Sequence, residues 1–276
     1  MKVIFGSVVY QAALEYLDDF LSSLNEQTYQ QFELLLINDD LEKEVLDTHI
    51  RKYRNLSGKT IVVKAEEGKA HYLLRILLLK EAKGRNATML ILGDCDDFFS
   101  KDRIASVVSE FEPEVWFLYN EILDFDHEPV MPPMPEYTRS IYDIGEHNYL
   151  GLSNTALNLE KLDMDFLESL EEGKTSIFDW YFFSRIVLAG GIGKYLCHGK
   201  SFYRIHGMNL AGIMQNTDSA QRKEIEIKLE HYRLLKNYSP YIEELLAEYS
   251  VNNIETRLHD KRPQKYFWWG LTERKE

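Results

Sequence analysis

The 276-residue sequence predicts an α/β fold built on a mostly parallel sheet flanked by helices. Three observations predict it. Short apolar runs alternate with stretches of helical periodicity through the first hundred residues. The runs are continuously apolar, as strands covered on both faces are. Each of three runs ends in a polar, turn-forming segment.

The elements follow in order. Lys2 to Val9, β-branched and apolar, opens as a strand, and Ala13, Leu14, Leu17, Phe20, Leu21 and Leu24 then recur at helical spacing. Phe32 to Ile37 is a second strand that stops at Asn38-Asp39-Asp40. A helix-compatible charged stretch runs from Glu42 to Arg54, and a third strand covers Thr60 to Val63. Gly68 precedes a helix through Leu73, Leu74, Leu77 and Leu78 that ends near Gly84. Met89 to Leu92 is a fourth strand, followed at once by Asp94-Cys95-Asp96-Asp97. Four strands separated by three helices make βαβ units.

Further on, a helix is expected near Lys101 to Phe111 and a strand at Val115 to Tyr119. Asp124 to Tyr149, with His127 and four prolines, reads as a long loop, either a lid or a surface excursion. Ser176 to Gly190 reads as a helix, with strands near Lys194 to Cys197 and Ser201 to Ile205. From Asp218 the spacing of Ile225, Leu229, Tyr232 and Leu235, then Ile242, Leu245, Leu246 and Tyr249, predicts a helical pair packed on the core. The expected division is a domain over 1–212 and a C-terminal helical extension over 213–276. The tail Lys265-Tyr266-Phe267-Trp268-Trp269 suits a peripheral membrane contact, or packing against the core or a second copy.

A formal charge of −13 excludes nucleic acid as a partner, because phosphate backbones require a basic footprint. No apolar run is long enough for a membrane span, and Met1-Lys2-Val3-Ile4-Phe5 lacks the features of a signal peptide. The expected location is the cytoplasm, with the tail as a peripheral contact at the inner membrane face. Cys95 and Cys197 are far apart and support neither a disulfide framework nor a zinc site. The negative charge also bears on anionic ligands. Like charges about 4 Å apart repel by roughly 4 kcal/mol at an effective dielectric near 20, so a bound polyphosphate would need a divalent cation and placed basic residues.

Open parallel sheets bind ligands at the carboxyl ends of their strands. Tyr10, Asn38-Asp39-Asp40 and Asp94-Cys95-Asp96-Asp97 all fall at that edge. In an extended backbone Asp94 and Asp96 project to one side. Their hard oxygens suit Mg²⁺ or Mn²⁺, ions that bind through one or two carboxylates plus substrate phosphates. Aspartates that merely form a turn after a strand are the plainer alternative.

These residues occur in an order that resembles inverting family-2 glycosyltransferases of the GT-A fold. The resemblance rests on Tyr10, the run Ser22-Ser23-Leu24-Asn25-Glu26-Gln27-Thr28-Tyr29, and Phe32-Glu33-Leu34 leading to Asn38-Asp39. It continues through Gly68 with Arg75, Asp94-Cys95-Asp96-Asp97, Phe178-Asp179-Trp180 and Tyr203-Arg204-Ile205-His206-Gly207, and so covers about residues 2–212. The sequence departs from the family pattern at Gln11, Asp40-Leu41, Arg85-Asn86-Ala87 and Phe178.

The resemblance implies an α/β GT-A nucleotide-sugar-binding core and transfer, with inversion, from a nucleoside-diphosphate sugar, commonly a UDP-sugar, to a glycan or lipid-linked acceptor. It implies the nucleobase against the backbone around Val8 and the ring of Tyr10, with Asp39 hydrogen-bonded to it. Arg75 would lie near the diphosphate, Asp94 near the ribose or metal shell, and Asp96 on a Mn²⁺ or Mg²⁺ ion. Asp179 would be the general base, and His206 would complete the metal or phosphate shell. Each has a structural counterpart: a half-buried Tyr10, a strand-ending Asp39, a solvated Arg75, an Asp179 that favours its helix N-terminus, a loop His206. Two other functions stay open. One is nucleotidyl transfer onto a sugar phosphate, which usually wants a glycine-rich loop that Val8-Val9-Tyr10-Gln11-Ala12-Ala13 lacks. The other is a non-catalytic nucleotide-sugar-binding domain.

Overall fold

A computed structural model describes residues 1–205 and 218–251. Strand β1 (Val3–Val9) is buried along its whole length. After a 3₁₀ turn at Gln11–Ala13 comes helix α1 (Leu17–Asn25), which buries Leu17, Phe20, Leu21 and Leu24 as one stripe. Strand β2 (Phe32–Asn38), helices α2 (Lys43–Arg51) and α3 (Arg54–Ser57), strand β3 (Thr60–Lys64), helix α4 (His71–Gly84) and strand β4 (Met89–Leu92) follow. β1 is the hub, parallel to both β2 and β4, and β2 is parallel to β3.

Alternate residues of β1 enter two different cores, as the two-residue period of a strand requires. Ile4 and Val8 pack with Leu35, Ile37 and the α4 residues Leu74 and Leu78. Val3, Phe5 and Val9 pack with Leu34, Leu36 and the α1 residues Phe20 and Leu24. Each such side chain contributes about 1.5–3 kcal/mol when withdrawn from water. The two-sided burial explains the uninterrupted apolar runs.

The second half adds strand β5 (Phe98–Phe99), helix α5 (Arg103–Ser109), strands β6 (Phe117–Leu123) and β7 (Tyr137–Thr138), and helix α6 (Ile141–Ile144). Then come strand β8 (Thr155–Asn158), helices α7 (Met164–Ser169) and α8 (Phe178–Leu188), strand β9 (Gly193–Phe202), and helices α9 (Asp218–Leu235) and α10 (Pro240–Val251). All nine strands join one sheet in the order β3-β2-β1-β4-β8-β6-β9-β5, with β7 on β9. β8 lies antiparallel between β4 and β6, so the all-parallel arrangement stops at β4.

Three details differ from the sequence expectation. β8 was not foreseen, because Thr155-Ala156-Leu157-Asn158 is too short to display a period. The two strands expected at 194–197 and 201–205 are a single strand, β9, which carries Gly199 at φ +76°. A side chain rarely adopts that angle, so glycine lets the strand continue through the irregularity. The segment 124–149 is not wholly loop, since β7 and α6 lie within it; a capping box between Ser140 and Asp143 starts α6.

Helix α8 is buried on nearly every side, and α9 packs on it through His231, whose ring stacks on Trp180 at 4.0 Å. Tyr249 of α10 meets Tyr232 of α9 edge-on, which completes the C-terminal helical pair. The expected boundary at 212/213, residue His206 and the aromatic tail at 265–269 lie outside the described residues. Among the described residues no helix is long and apolar enough to cross a membrane.

Candidate active site

The carboxyl ends of β1, β2 and β4 are stitched together by backbone hydrogen bonds. Asp39 N–H donates to Val9 O at 3.0 Å, and Gly93 N–H donates to Gly6 O at 3.2 Å. Asn38 closes the turn after β2, donating from Nδ2 to Leu41 O and accepting from Leu41 N–H, both at 2.9 Å. Gln11 N–H donates to Asp40 Oδ1 at 2.6 Å and ties the first strand end to the second. Glycine is required after β4, because a Cβ on Gly93 would meet Phe99 at 2.5 Å and Phe5 at 2.7 Å.

The Asp94–Asp97 turn gathers partners from distant parts of the chain. Arg75, projecting from α4, donates from Nη2 to Asp94 Oδ1 at 2.5 Å. Asp94 N–H donates to Ser153 Oγ at 2.9 Å, and that hydroxyl lies 3.3 Å from Asp94 Oδ2. Arg204 wraps the same turn: its N–H donates to Asp97 Oδ1 at 2.9 Å and its Nε to Asp96 O at 2.8 Å. Asp96 and Asp97 are buried, at 8% and 1% exposure.

Asp179 reaches this cluster from the first turn of α8. Its Oδ1 accepts from Trp180 N–H at 2.7 Å, and a Cβ built on Gly151 would lie 3.9 Å from Oδ2. Its carboxyl is raised to about 7, chiefly by burial, which the Trp180 N–H opposes; the charge of Asp94 adds to the rise and Arg75 opposes it. Tyr10 is held above the usual phenol range by burial, then by Asp96, Cys95 and Asp94. Tyr203 is raised likewise by burial and then by Asp97, Asp96, Asp94 and Asp179. One phenol therefore sits in the field of four carboxylates.

Tyr10, Arg75, Asp94, Asp96 and Asp179 thus share one site. Asp39 lies on the same edge beside Tyr10, but its charged neighbours are Asp40 and His71, and burial raises its carboxyl. The side chain of Val8 is core, which leaves only its backbone to face a ligand. Sequence reasoning missed Ser153 and the buried Arg103, whose guanidinium donates to Ser201 Oγ at 3.0 Å, Ser153 O at 3.1 Å and Leu92 O at 3.3 Å. Arg103 braces the end of β4 against the segment that presents Ser153.

Four acids, Asp94, Asp96, Asp97 and Asp179, outnumber the two arginines that meet them, Arg75 and Arg204, an excess that repels a polyphosphate unless a cation intervenes. Among the described residues no three His, Cys, Asp or Glu side chains are close enough to hold a metal by themselves. The Asp94–Asp97 turn does supply carboxylate oxygens, the donor type that Mn²⁺ and Mg²⁺ take alongside water and substrate oxygens.

Residues 7–128 match the family model described as Glycosyl transferase family 2. Among solved structures, S. aureus TarS residues 1–349 in complex with UDP-GlcNAc superposes with a TM-score of 0.62 at 16% identity, covering 91% of this chain and 72% of that one. The mannosyltransferase PcManGT from Pyrobaculum calidifontis, in complex with GDP-Man and Mn²⁺, gives 0.59 at 14% identity, covering 94% and 70%. GalNAc-T7 with UDP, GalNAc and Mn²⁺ gives 0.50 at 16% identity, covering 94% and 57%. No curated protein matches in sequence. At these identities the structural likeness is one of fold.

Proposed function

We propose, from the match of residues 7–128 to the Glycosyl transferase family 2 model and from the fold shared with TarS and the mannosyltransferase PcManGT, that the protein moves a sugar from a nucleoside-diphosphate donor to an acceptor hydroxyl with inversion. The observation that carries the proposal is the meeting of Asp179, from α8, with Asp94 and Arg75 at the end of β4. Asp179 and Arg75, more than a hundred residues apart in sequence, lie in each other's electrostatic field, as a base and a cationic diphosphate partner would have to.

In this scheme the nucleobase lies along Tyr10, Asp39 and the Val8 backbone. Arg75, oriented by Asp94, faces the diphosphate. Asp96 would hold a Mn²⁺ or Mg²⁺ ion with the diphosphate oxygens, and His206 is a further candidate ligand. That ion, when bound, supplies positive charge against the leaving diphosphate. Asp179 accepts the proton of the acceptor hydroxyl as its oxygen bonds to the anomeric carbon. The bond from that carbon to the diphosphate breaks, and the electron pair departs with the nucleoside diphosphate. Attack from the face opposite the leaving group inverts the centre. The acceptor is a glycan or a lipid-linked glycan, and UDP-sugars are the first donors to test.

Incubating the protein with Mn²⁺ and a panel of UDP- and GDP-sugars, and measuring released nucleoside diphosphate, tests the proposal. One donor should turn over, with water as acceptor if no glycan is supplied. Asp179→Asn should lower the rate about 10²- to 10⁴-fold, the usual worth of a general base. Silence with every donor, or full turnover by the variant, would contradict it. Pyrophosphate release from a nucleoside triphosphate and a sugar phosphate would favour nucleotidyl transfer instead.

A further inference from the structure

Helix α1 and strand β5 border a concavity of about 570 Å³. Helix α1 lines it with Asp19, Ser22, Ser23 and Glu26, at i, i+3, i+4 and i+7 on one helical face. Phe98, Phe99, Phe125 and Phe202 supply rings, and Ser100 and Lys101 complete the lining. Phe98 and Phe202 stack at 4.4 Å with planes 7° apart, and Phe125 packs edge-on to Phe98 at 4.8 Å. Phe125 is 39% exposed, a large apolar ring open to solvent.

We propose that this groove binds a neutral oligosaccharide, the part of the acceptor remote from the reacting hydroxyl. Its volume falls within the roughly 300–1,000 Å³ of small-molecule sites, which combine apolar walls with a few polar groups. A pyranose has the matching surface: a C–H face that packs on an aromatic ring and a rim of hydroxyls that need hydrogen-bond partners. The Ser22 hydroxyl and the carboxylates of Asp19 and Glu26 offer those partners along one wall.

Charge selects against the alternatives. Both acids of the groove are already balanced, Asp19 Oδ2 by Arg204 Nη2 at 2.6 Å and Glu26 Oε2 by Lys101 Nζ at 3.0 Å. No surplus of positive charge remains for a phosphorylated or carboxylated ligand. The groove also has a physical link to the donor site. Arg204, which bonds Asp19 through Nη2 and stacks over Phe125 at 4.3 Å, donates from Nε to the Asp96 carbonyl. One guanidinium is therefore shared between the groove and the turn that bears Asp96. Naming the ligand an acceptor rests on the transferase reading; its binding does not.

Calorimetric titration of the full chain with maltotetraose, cellotetraose, tetra-N-acetylchitotetraose and, as an anionic control, tetragalacturonate tests the proposal. At least one neutral tetrasaccharide should bind the wild type. Ser22→Arg, which fills the groove, and Phe125→Ala, which removes its exposed ring, should each weaken binding by roughly tenfold, about 1.4 kcal/mol. Donor hydrolysis without acceptor should stay within about twofold in Ser22→Arg, since the groove is not where the nucleotide sits. Absence of binding by all three neutral sugars, binding of tetragalacturonate in their place, or unweakened binding by Ser22→Arg would each overturn it. Tetrasaccharide binding in a protein that hydrolyses no donor would uphold the groove and defeat only the transferase reading.

Discussion

Asp179 sits where burial outweighs its one cationic neighbour, and two measurements follow from its carboxyl being held near 7. A general base must be ionised, so kcat/KM should climb about tenfold per pH unit below 7 and level off above it. A flat profile between pH 5 and 8 would remove Asp179 from that role. The same shift acts on stability with a definite sign. The folded protein holds this proton to a higher pH than the unfolded chain, so the group's contribution to stability is present in acid. That contribution fades as pH rises from the ordinary aspartate range through about 7. At pH 8, Asp179→Asn should therefore melt higher than wild type, by roughly 2–8 °C. An equal or lower melting temperature would show that the buried charge costs nothing.

At this scale the sequence displayed the acids plainly and their supports poorly. Asp94, Asp96 and Asp179 could be named because carboxylates at a strand end or a helix start are conspicuous. Ser153 and Arg103 could not. Arg103 follows Lys101-Asp102 and reads as a solvated charge, yet it is 1% exposed and donates to four backbone and hydroxyl oxygens. Of the departures from the family pattern, Asp40 proves to accept the backbone N–H of residue 11 at 2.6 Å. That link between two strand ends is invisible without coordinates.

Among the elements, β1 through β4 were legible because two-sided burial forces continuous apolar runs, and α1 because its buried face keeps strict helical spacing. β8 was not legible: it is four residues long and contains two hydrogen-bonding side chains, and only its neighbours β4 and β6 make it a strand. The packing of α9 on α8 explains how the C-terminal helices bear on the site, since the helix they cover carries Asp179. His231 is the contact to probe. It lies flat on Trp180, its Nε2 is 3.3 Å from Ser184 Oγ, and burial lowers its pKa to about 3. The unfolded chain protonates this ring below about 6.5 while the folded protein keeps it neutral, so stability should fall as pH drops from there toward 3. His231→Phe keeps a ring against Trp180 and removes this titration, so its melting temperature relative to wild type should rise as pH falls from 6.5 to 4.5. An unchanged slope in the variant would place the acid sensitivity elsewhere.

For the whole molecule, a charge of −13 and a proposed ligand that is itself anionic are reconciled only if positive charge is concentrated at the site. Arg75 supplies some of it and is already engaged by Asp94. In the proposed scheme the remainder falls to a divalent ion: the Asp94–Asp97 turn would bind nucleotide through a metal, while Asp179 would act only in transfer. Titrating wild type, Asp96→Asn and Asp179→Asn with UDP and GDP, each with Mn²⁺ and with excess chelator, tests it directly. Wild type and Asp179→Asn should bind one of the two diphosphates only when Mn²⁺ is present, and Asp96→Asn should bind neither. Binding that survives chelation, or that survives in Asp96→Asn but not in Asp179→Asn, would contradict the account.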